Sequence, residues 1–589
     1  MVQNQNILLW YTIRVLVLII DYYLEIEEMK KLINIKYITG LLLLSFSVSC
    51  TNLDEELYSQ IAADDFGRTP EEVAAALANA YTGWTGGYIG STWSLSEVST
   101  DEMVVPTRGQ DWFDNGNWQR LHLHSFLPTD DLVGGSWGTI FGGVTTCNRL
   151  LKQFQPKADA GEEAAIQAVA ELKALRGLHY FFLIDLYGNV PIYKSFDDID
   201  VSNGSGNDYS QRTEVYKWVV SEVESAVPLL SKAKDASTYG KMNYWAAKML
   251  LAKLYLNEGV YTSEPSTGTY VSASASALTK AADVLDDIID NGGFSLESDY
   301  FNNFGVDNEA STENIFVIVY DQVFAGGFNL NMRTLSYLQQ DTYNFTDQPW
   351  NGYCTLEEFY NSFDNADKRK GDIKQVDWPN MPGMTIDENN RIGRSMFIVG
   401  PQYNAKTGEI LLDGGQYDEP DGEVFVLTPE VNELGPAALR QAGARVGKYE
   451  YEVGGNPNMG NDYPIFRYGD AILMRAEIYW KSGNTGLALT TMNNLRAVRG
   501  VPDIVTLDNG TSRLGDHLLG ERGREVAFEY WRRNDLIRFG RFNDEWWGKE
   551  TNPSGLPAFD PVFDPYVNVF PIPNSQIEAS DALTQNPGH

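Results

Sequence analysis

The stretch at residues 171–193, ELKALRGLHYFFLIDLYGNVPIY, constrains this chain more than any other. Leu172, Leu175, Leu178, His179, Phe182 and Leu186 recur at steps of three and four, the spacing of one face of an α-helix. Phe181, Leu183 and Tyr187 fall on the remaining faces, so the predicted helix is apolar nearly all round and needs an interior that surrounds it. Gly188-Asn189 tolerates the positive φ that ends a helix, and Pro191 fixes the exit. A chain of 589 residues, 43% of them apolar, can supply such an interior.

The centre of this helix recurs. Gly177-x-x-Tyr180, Ala252-x-x-Tyr255 and Ala476-x-x-Tyr479 each set a small residue three positions before a Tyr, with Leu175, Leu250 and Met474 just ahead. A small residue there lets a second helix come close while the ring fills the space beside it. Each copy has an amphipathic segment downstream: Val215, Val219 and Val223; Ala281, Leu285 and Ile288; Ala488, Met492 and Leu495. The last copy has the spacing of a tetratricopeptide repeat, and the others carry long insertions. These features predict a mainly α fold of degenerate helix pairs, at about 136–292 and about 464–500. Between them, at about 293–463, the helical period is mostly lost and a loop-rich region is expected. Leu175, Phe182, Tyr255 and Tyr479 are expected to be buried.

The N-terminal region carries a different signal. Residues 29–49 place Lys30, Lys31 and Lys36 before an apolar run that closes on small residues and Cys50. This is the order of a lipoprotein signal peptide, and the run is shorter than the ~20 residues a membrane-crossing helix needs. Lipid attachment at Cys50 and an acidic tether over 50–66 are expected, leaving residues 67–589 as the folded domain. Residues 1–28 read as a misassigned extension, with Met29 as the start. A net charge of −35 and the lack of a Lys/Arg cluster argue against nucleic acid as a partner. Three Cys with no CxxC pair suggest no disulfide framework, and Cys147 is expected to be a buried small hydrophobe.

Thr69-Pro70-Glu71-Glu72 predicts a helix start. A short strand is expected at 315–320, a short helix at 357–363 and one long helix from Leu518 to about Phe539. Gly134-x-Ser136-x-Gly138 matches a nucleophile-elbow pattern but lacks the strand that must precede one, so Ser136 is read as a helix N-cap. His122-x-His124 alternates as in a strand and has no third ligand at metal-binding spacing; no metal or cofactor is expected. Arg522, Glu525, Glu529, Arg532 and Asp535 stand three and four apart, and Arg neighbours remove the protonated carboxylic acid that a glycosidase needs. They are read as structural ion pairs, and the chain as a non-enzyme.

Two segments look suited to a ligand. In the loop 103–124, Trp112, Phe113 and Trp118 stand among Arg108, Asp111, Asp114, Asn115 and Asn117. Ring faces beside amides, guanidinium and carboxylates suit sugars, whose C–H faces stack on rings and whose hydroxyls bond to side chains. The second segment offers Tyr320, Tyr343, Trp350 and Tyr353.

The chain resembles the SusD/RagB family of outer-membrane nutrient-uptake lipoproteins. The residues that carry the likeness are Cys50, STDE from Ser99, Trp137 to Asn148, LRGLHYFFLIDLYGNVPIY from Leu175 and YWAAKMLLAKLYLNEG from Tyr244. PWNG from Pro349, FRYGDAILMRAEIYWKSGN from Phe466, ERGREVAFEYWRRNDLIRFGRF from Glu521 and the FPIPNSQIE…NPGH tail complete it. Ser47, where an aliphatic residue is usual in the lipobox, departs from the pattern, as does the extension before Met29. The resemblance implies a SusD-like fold of four tetratricopeptide-like helix pairs with a loop-rich variable half. It implies a non-enzymatic protein of the outer membrane, lipid-anchored and facing the cell exterior, that captures glycans or peptides and delivers them to a TonB-dependent SusC-like transporter; a glycan is the ligand expected here. It puts Asp101 and the loop after it near the first ligand-contacting segment, and the region of Tyr320 and Trp350 near the second. The candidate ligand residues are thus Asp101, Arg108, Asp111, Trp112, Asn117, Trp118, Tyr320 and Trp350. The rival expectations are a helical-repeat scaffold that binds proteins and, less favoured, a glycoside hydrolase.

Overall fold

A computed structural model of the chain describes residues 69–198, 210–267, 271–371, 395–404, 407, 409–412, 422–508, 510, 512–549, 559–580 and 583–589. The expected extension, signal segment, Cys50 and tether lie outside these residues. Helix α1, Pro70–Thr82, begins as the sequence predicts. The Thr69 hydroxyl accepts from the Glu72 N–H and the Glu72 carboxylate accepts from the Thr69 N–H, each at 3.3 Å, a reciprocal cap with Pro at the first helical turn. Helix α2, Asp131–Asp159, starts ahead of Ser136, which corrects the predicted cap. Asp130, tied to Arg120, holds the extended entry, and Ser136 sits inside the helix with its Oγ 3.1 Å from Thr92 Oγ1. Cys147 on the same helix is buried, which pushes its thiol up to about 12.

The organising stretch lies in α3, Glu163–Leu186, where every side chain from position 174 through 186 is buried. The helix gives way at Tyr187, followed by Gly188 at φ 71°. Helix α4, Arg212–Ala226, packs on it. A Cβ on Gly177 would stand 2.5 Å from Val223 Cγ2, so the small residue of the repeat is what allows the two helices to close. Helices α5, Tyr244–Leu256, and α6, Ala275–Asn291, form the next pair, and α7, Tyr468–Lys481, and α8, Thr485–Val498, the one after. Polar links join successive pairs: Tyr255 donates to Glu224 at 2.6 Å, and Arg475 meets Asp286 at 2.6 Å. Leu175, Phe182 and Tyr255 are buried as expected. Tyr479 is only half-buried, because its ring lies at the rim beneath the Arg475 guanidinium, 3.9 Å from the ring centre. The mainly α fold is thus carried by repeated helix pairs. No helix among the described residues is long and apolar enough to cross a membrane.

The loop-rich half is pinned by short antiparallel pairs. Strand Asn314–Ile318 pairs with Tyr463–Arg467, and three two-residue pairs join Met103–Val104 to Cys354–Thr355, Phe397–Ile398 to Arg445–Val446 and Gly400–Pro401 to Val426–Leu427. The predicted helix at 357–363 is Glu357–Asn361.

The expected single helix after Leu518 is in fact two, α9 at Leu518–Glu525 and α10 at Trp531–Arg538. The break carries positive φ at Phe528 (57°) and Tyr530 (81°), which bulky residues rarely adopt. Distant groups bind its backbone: the Phe528 N–H donates to Glu102 at 3.0 Å, and the Tyr530 N–H to Glu97. Trp93 Nε1 donates to the Phe528 carbonyl at 3.2 Å, and Ser96 to that of Tyr530 at 2.5 Å. Backbone groups that a continuous helix would pair internally are thus paired by the segment 93–102, and the periodicity of 518–539 contains no trace of that.

The charges of this region are held in ion pairs, as expected, but mostly with partners from other elements and not with one another at spacings of three and four. Glu525 accepts from Arg499 at 2.7 Å, Arg369 at 3.0 Å and Arg467 at 3.2 Å, and Glu529 from Arg467 at 2.7 Å and Lys448 at 2.5 Å. Arg522 bridges Asp470 and Asp535, both at 2.8 Å. Burial alone would raise the Glu525 carboxyl; Arg499, Arg467 and Arg369 hold it well below the usual carboxylate range. A carboxylate so held has no proton to give at neutral pH.

Candidate functional site

The pairing of Met103–Val104 with Cys354–Thr355 brings the two aromatic segments together. Trp112 Nε1 donates to the Trp350 carbonyl at 2.7 Å, joining positions 238 apart in sequence, and the two ring centres lie 6.4 Å apart. Trp112 has φ 62°, in a loop where Gly109 (66°), Asp114 (40°), Asn115 (56°) and Gly116 (83°) are also positive. This irregular path presses the Trp112 indole against the backbone of Gly352, where an added Cβ would stand 2.4 Å from the ring. Asn351, at φ 54°, makes the opposing turn. Its side-chain oxygen accepts from Arg445 at 2.8 Å, and Trp350, ahead of it, is left 37% exposed.

The result is a groove of about 330 Å³ lined by Asp111, Trp112, Asp114, Tyr337, Gln348, Pro349 and Trp350. Two carboxylates stand at its lip. Asp111 accepts from the Tyr337 hydroxyl, and Asp114 from Trp118 Nε1 at 2.7 Å; both Asp residues are exposed. The Arg333 guanidinium lies 5.5 Å from the Trp350 ring centre and 5.6 Å from that of Tyr353, and it donates to the Tyr353 hydroxyl at 3.0 Å. Phe113, 48% exposed, projects nearby in sequence but does not line the groove.

Of the eight expected ligand residues, Asp111, Trp112 and Trp350 come together here, and five lie in the interior. Asp101 is fully buried between Arg532, at 2.7 and 2.8 Å, and Arg513; burial would raise its carboxyl, but the two guanidiniums bring it to about 2. Arg108 spends its N–H groups on the carbonyls of Asn351 (2.7 Å), Gly352 (2.9 Å), Ala442 (2.9 Å) and Leu439 (3.1 Å), and so fixes the loops that carry the site. Asn117 accepts from Arg120 at 2.8 Å. Trp118 belongs to the short helix Asn117–Leu123 and is 4% exposed, packed edge-on against Trp112 and Tyr353. Tyr320 donates to the Thr85 carbonyl at 3.1 Å, and Tyr343 stacks on Phe345, both in the core. Of these, Arg108 and Trp118 support the groove from behind, through the Asn351 and Gly352 carbonyls and the Trp112 ring.

The same helix corrects the predicted strand at His122 and His124. His122 meets the Trp547 carbonyl at 2.8 Å and His124 the Ser99 carbonyl at 2.7 Å, so each ring serves packing. Sequence reasoning missed Tyr337 and Gln348; the available signal for Gln348 was its place two positions before Trp350, in the polar run TDQPWN. A larger groove of about 670 Å³ lies between residues 234–243 and 309–319. Its rings are already engaged: Phe294 sits under the Lys234 ammonium at 4.1 Å, and Tyr239 donates to Asp462 at 2.5 Å.

Comparison with known proteins gives a consistent result. The profile described as the SusD family matches residues 312–589, and that described as "Starch-binding associating with outer membrane" matches residues 52–256. The starch-binding protein SusD of Bacteroides thetaiotaomicron is 23% identical over 536 residues, covering 85% of this chain and 86% of that one. Among solved structures, surface glycan-binding protein A of Bacteroides thetaiotaomicron, determined in complex with laminarihexaose, is 22% identical. It superposes with a TM-score of 0.62, over 88% of this chain and 99% of that one. A SusD-like protein from Bacteroides fragilis gives a TM-score of 0.63 at 18% identity, over 90% and 99%.

Proposed function

We propose, from the premise that this chain belongs to the SusD family, that it is a surface glycan-binding protein whose ligand lies across Trp112 and Trp350. The observation that carries the reading is the meeting of these two rings at an open groove with Asp111 and Asp114 at its lip. Ring faces stack on the C–H face of a sugar, and carboxylate oxygens and the Gln348 amide bond to its hydroxyls. The chain does not act as a hydrolase in this reading. Glu525 and Glu529, the carboxylates closest to a glycosidase pattern, are buried in ion pairs, and Asp111 and Asp114 share the groove with no buried, proton-bearing acid.

Captured glycan passes to a TonB-dependent SusC-like transporter in the outer membrane, where the protein is held at the cell exterior by lipid on Cys50. The basic, apolar, small-residue and Cys order of residues 29–50 supports the anchor. Cys50→Ala is expected to abolish lipid labelling and membrane retention, and equal sedimentation of both forms with transporter-free membranes would remove the anchor from the account.

Calorimetry of residues 51–589 against a glycan panel tests the binding reading. Trp112→Ala or Trp350→Ala is expected to weaken binding by about 1–3 kcal/mol, the scale of aromatic stacking on nucleobases. Trp118→Ala should instead lower stability, because that ring is buried. Glycan binding that survives both groove substitutions unchanged would refute this site.

A further inference from the structure

The charge at the groove points to a narrower class of ligand. Among the described residues that line it, two are Asp and none is Lys or Arg. Each carboxylate has one oxygen engaged, Asp111 Oδ2 by Tyr337 and Asp114 Oδ2 by Trp118, so each keeps an oxygen able to accept from a ligand. The cations nearby sit behind the rings. Arg333 is half-buried and donates to Asn329 at 2.7 Å and to the Tyr353 hydroxyl, and Arg120 is buried on Asp130. Arg440, 5.8 Å from the Tyr337 ring centre, is buried as well, so among the described residues an acidic sugar on these rings would meet two negative charges with no exposed cation in the lining. A hydroxyl would meet two acceptors.

We infer that the groove takes glycans whose sugar units carry no carboxylate or sulfate, and that Asp111 and Asp114 are the residues that reject acidic ones. The inference rests on the glycan reading above and narrows it. The pair contributes two charges to a chain whose net charge is −35, and its share is separated from the rest by nearness to the ligand, which the double substitution removes. At low salt, two carboxylates within a few ångströms of a ligand anion should weaken its binding roughly tenfold, and salt should screen much of that.

The test is calorimetry of residues 51–589 with matched polymers at 20 mM and 500 mM salt. Laminarin, starch, arabinoxylan and galactomannan are each measured unmodified, carboxymethylated, and hydroxyethylated as a control for bulk; alginate and polygalacturonate are added. Wild type is expected to bind at least one neutral polymer at least tenfold tighter than its carboxymethyl form. In Asp111→Asn/Asp114→Asn that ratio should fall several-fold at 20 mM salt, with the hydroxyethyl ratio unmoved; a ratio removes any loss common to both ligands. An unchanged ratio overturns the inference. So does an acidic polymer that binds wild type as tightly as any neutral one and is lost in Trp112→Ala, an outcome that leaves the glycan site standing. Failure of every polymer to bind, or binding indifferent to Trp112 and Trp350, overturns the glycan reading and this inference with it.

Discussion

Asp101 gives the sharpest test of the division between groove and support. The substitution Asp101→Asn keeps the shape of the side chain and removes its charge, leaving the fully buried Arg532 and the nearly buried Arg513 without their shared carboxylate. Two routes give the cost. The carboxyl falls from its ordinary 3.8 to about 2, which is roughly 2–3 kcal/mol of stabilisation of the charged form. Breaking a buried pair by removing one partner costs ~3–5 kcal/mol. About 3 kcal/mol of lost stability is therefore expected. Because the folded value is depressed, this stability is present above pH 3.8 and is lost as pH falls toward 2. Urea denaturation of both proteins at pH 7 and near pH 3 measures it, and the difference between them should shrink at the lower pH. Glycan affinity, measured well below the denaturation midpoint, should change less than threefold. Lost affinity with unaltered stability would refute the reasoning and return Asp101 to the ligand.

Three further perturbations follow from the fold. Phe182→Ala empties a fully buried site in α3 and should cost ~3–5 kcal/mol in urea; a loss below about 1 kcal/mol would mean the helix face is misassigned. Glu97 and Glu102 are buried carboxyls; burial raises both, the charge of Glu97 raises Glu102 further, and Glu97 Oε2 and Glu102 Oε1 find no donor in any other described group. The folded state therefore holds a proton that the unfolded chain releases near its ordinary 4.5, so stability should fall by up to ~1.4 kcal/mol per pH unit as pH rises above that value. Glu97→Gln should flatten this slope, and an equally steep slope in the variant would exclude the pair as its source. Gly352→Ala would put a methyl group into the Trp112 ring and should displace it, so binding should weaken to the level of Trp112→Ala; wild-type affinity would show that the ring seat is not needed.

The helix pairs were legible because their signal is local. Gly177 and Tyr180 stand within one turn, and the face they define is the face that packs. The site was legible only as two regions, and its members could not be sorted. Trp112 and Trp118 look alike in sequence, yet one is held half-buried at the rim by its own positive φ and the other, beyond the turns at 114–116, goes inward on a short helix. Asp101 looks like an exposed loop carboxylate until Arg513 and Arg532 arrive from more than 400 positions away. Likewise the break between α9 and α10 is imposed by Trp93, Ser96, Glu97 and Glu102, and no pattern within 518–539 records them.

The two rings of the groove are carried by separate loops that meet through a two-residue strand pair, the N–H to carbonyl bond from Trp112 to Trp350 and the bonds of Arg108 to the Asn351 and Gly352 carbonyls. A sugar lying across both rings therefore acts as a removable crosslink between those loops. Any ligand that binds only the joined arrangement must oppose its opening, by about 2.7 kcal/mol when present at a hundred times its dissociation constant. Amide protons of residues 105–116 and 345–352 should then slow together in hydrogen exchange on adding glycan, while those of α3, already protected by the core, stay as they were. Occupancy would thus be written into the stiffness of the rim, a change that a partner resting on those loops could sense without touching the sugar.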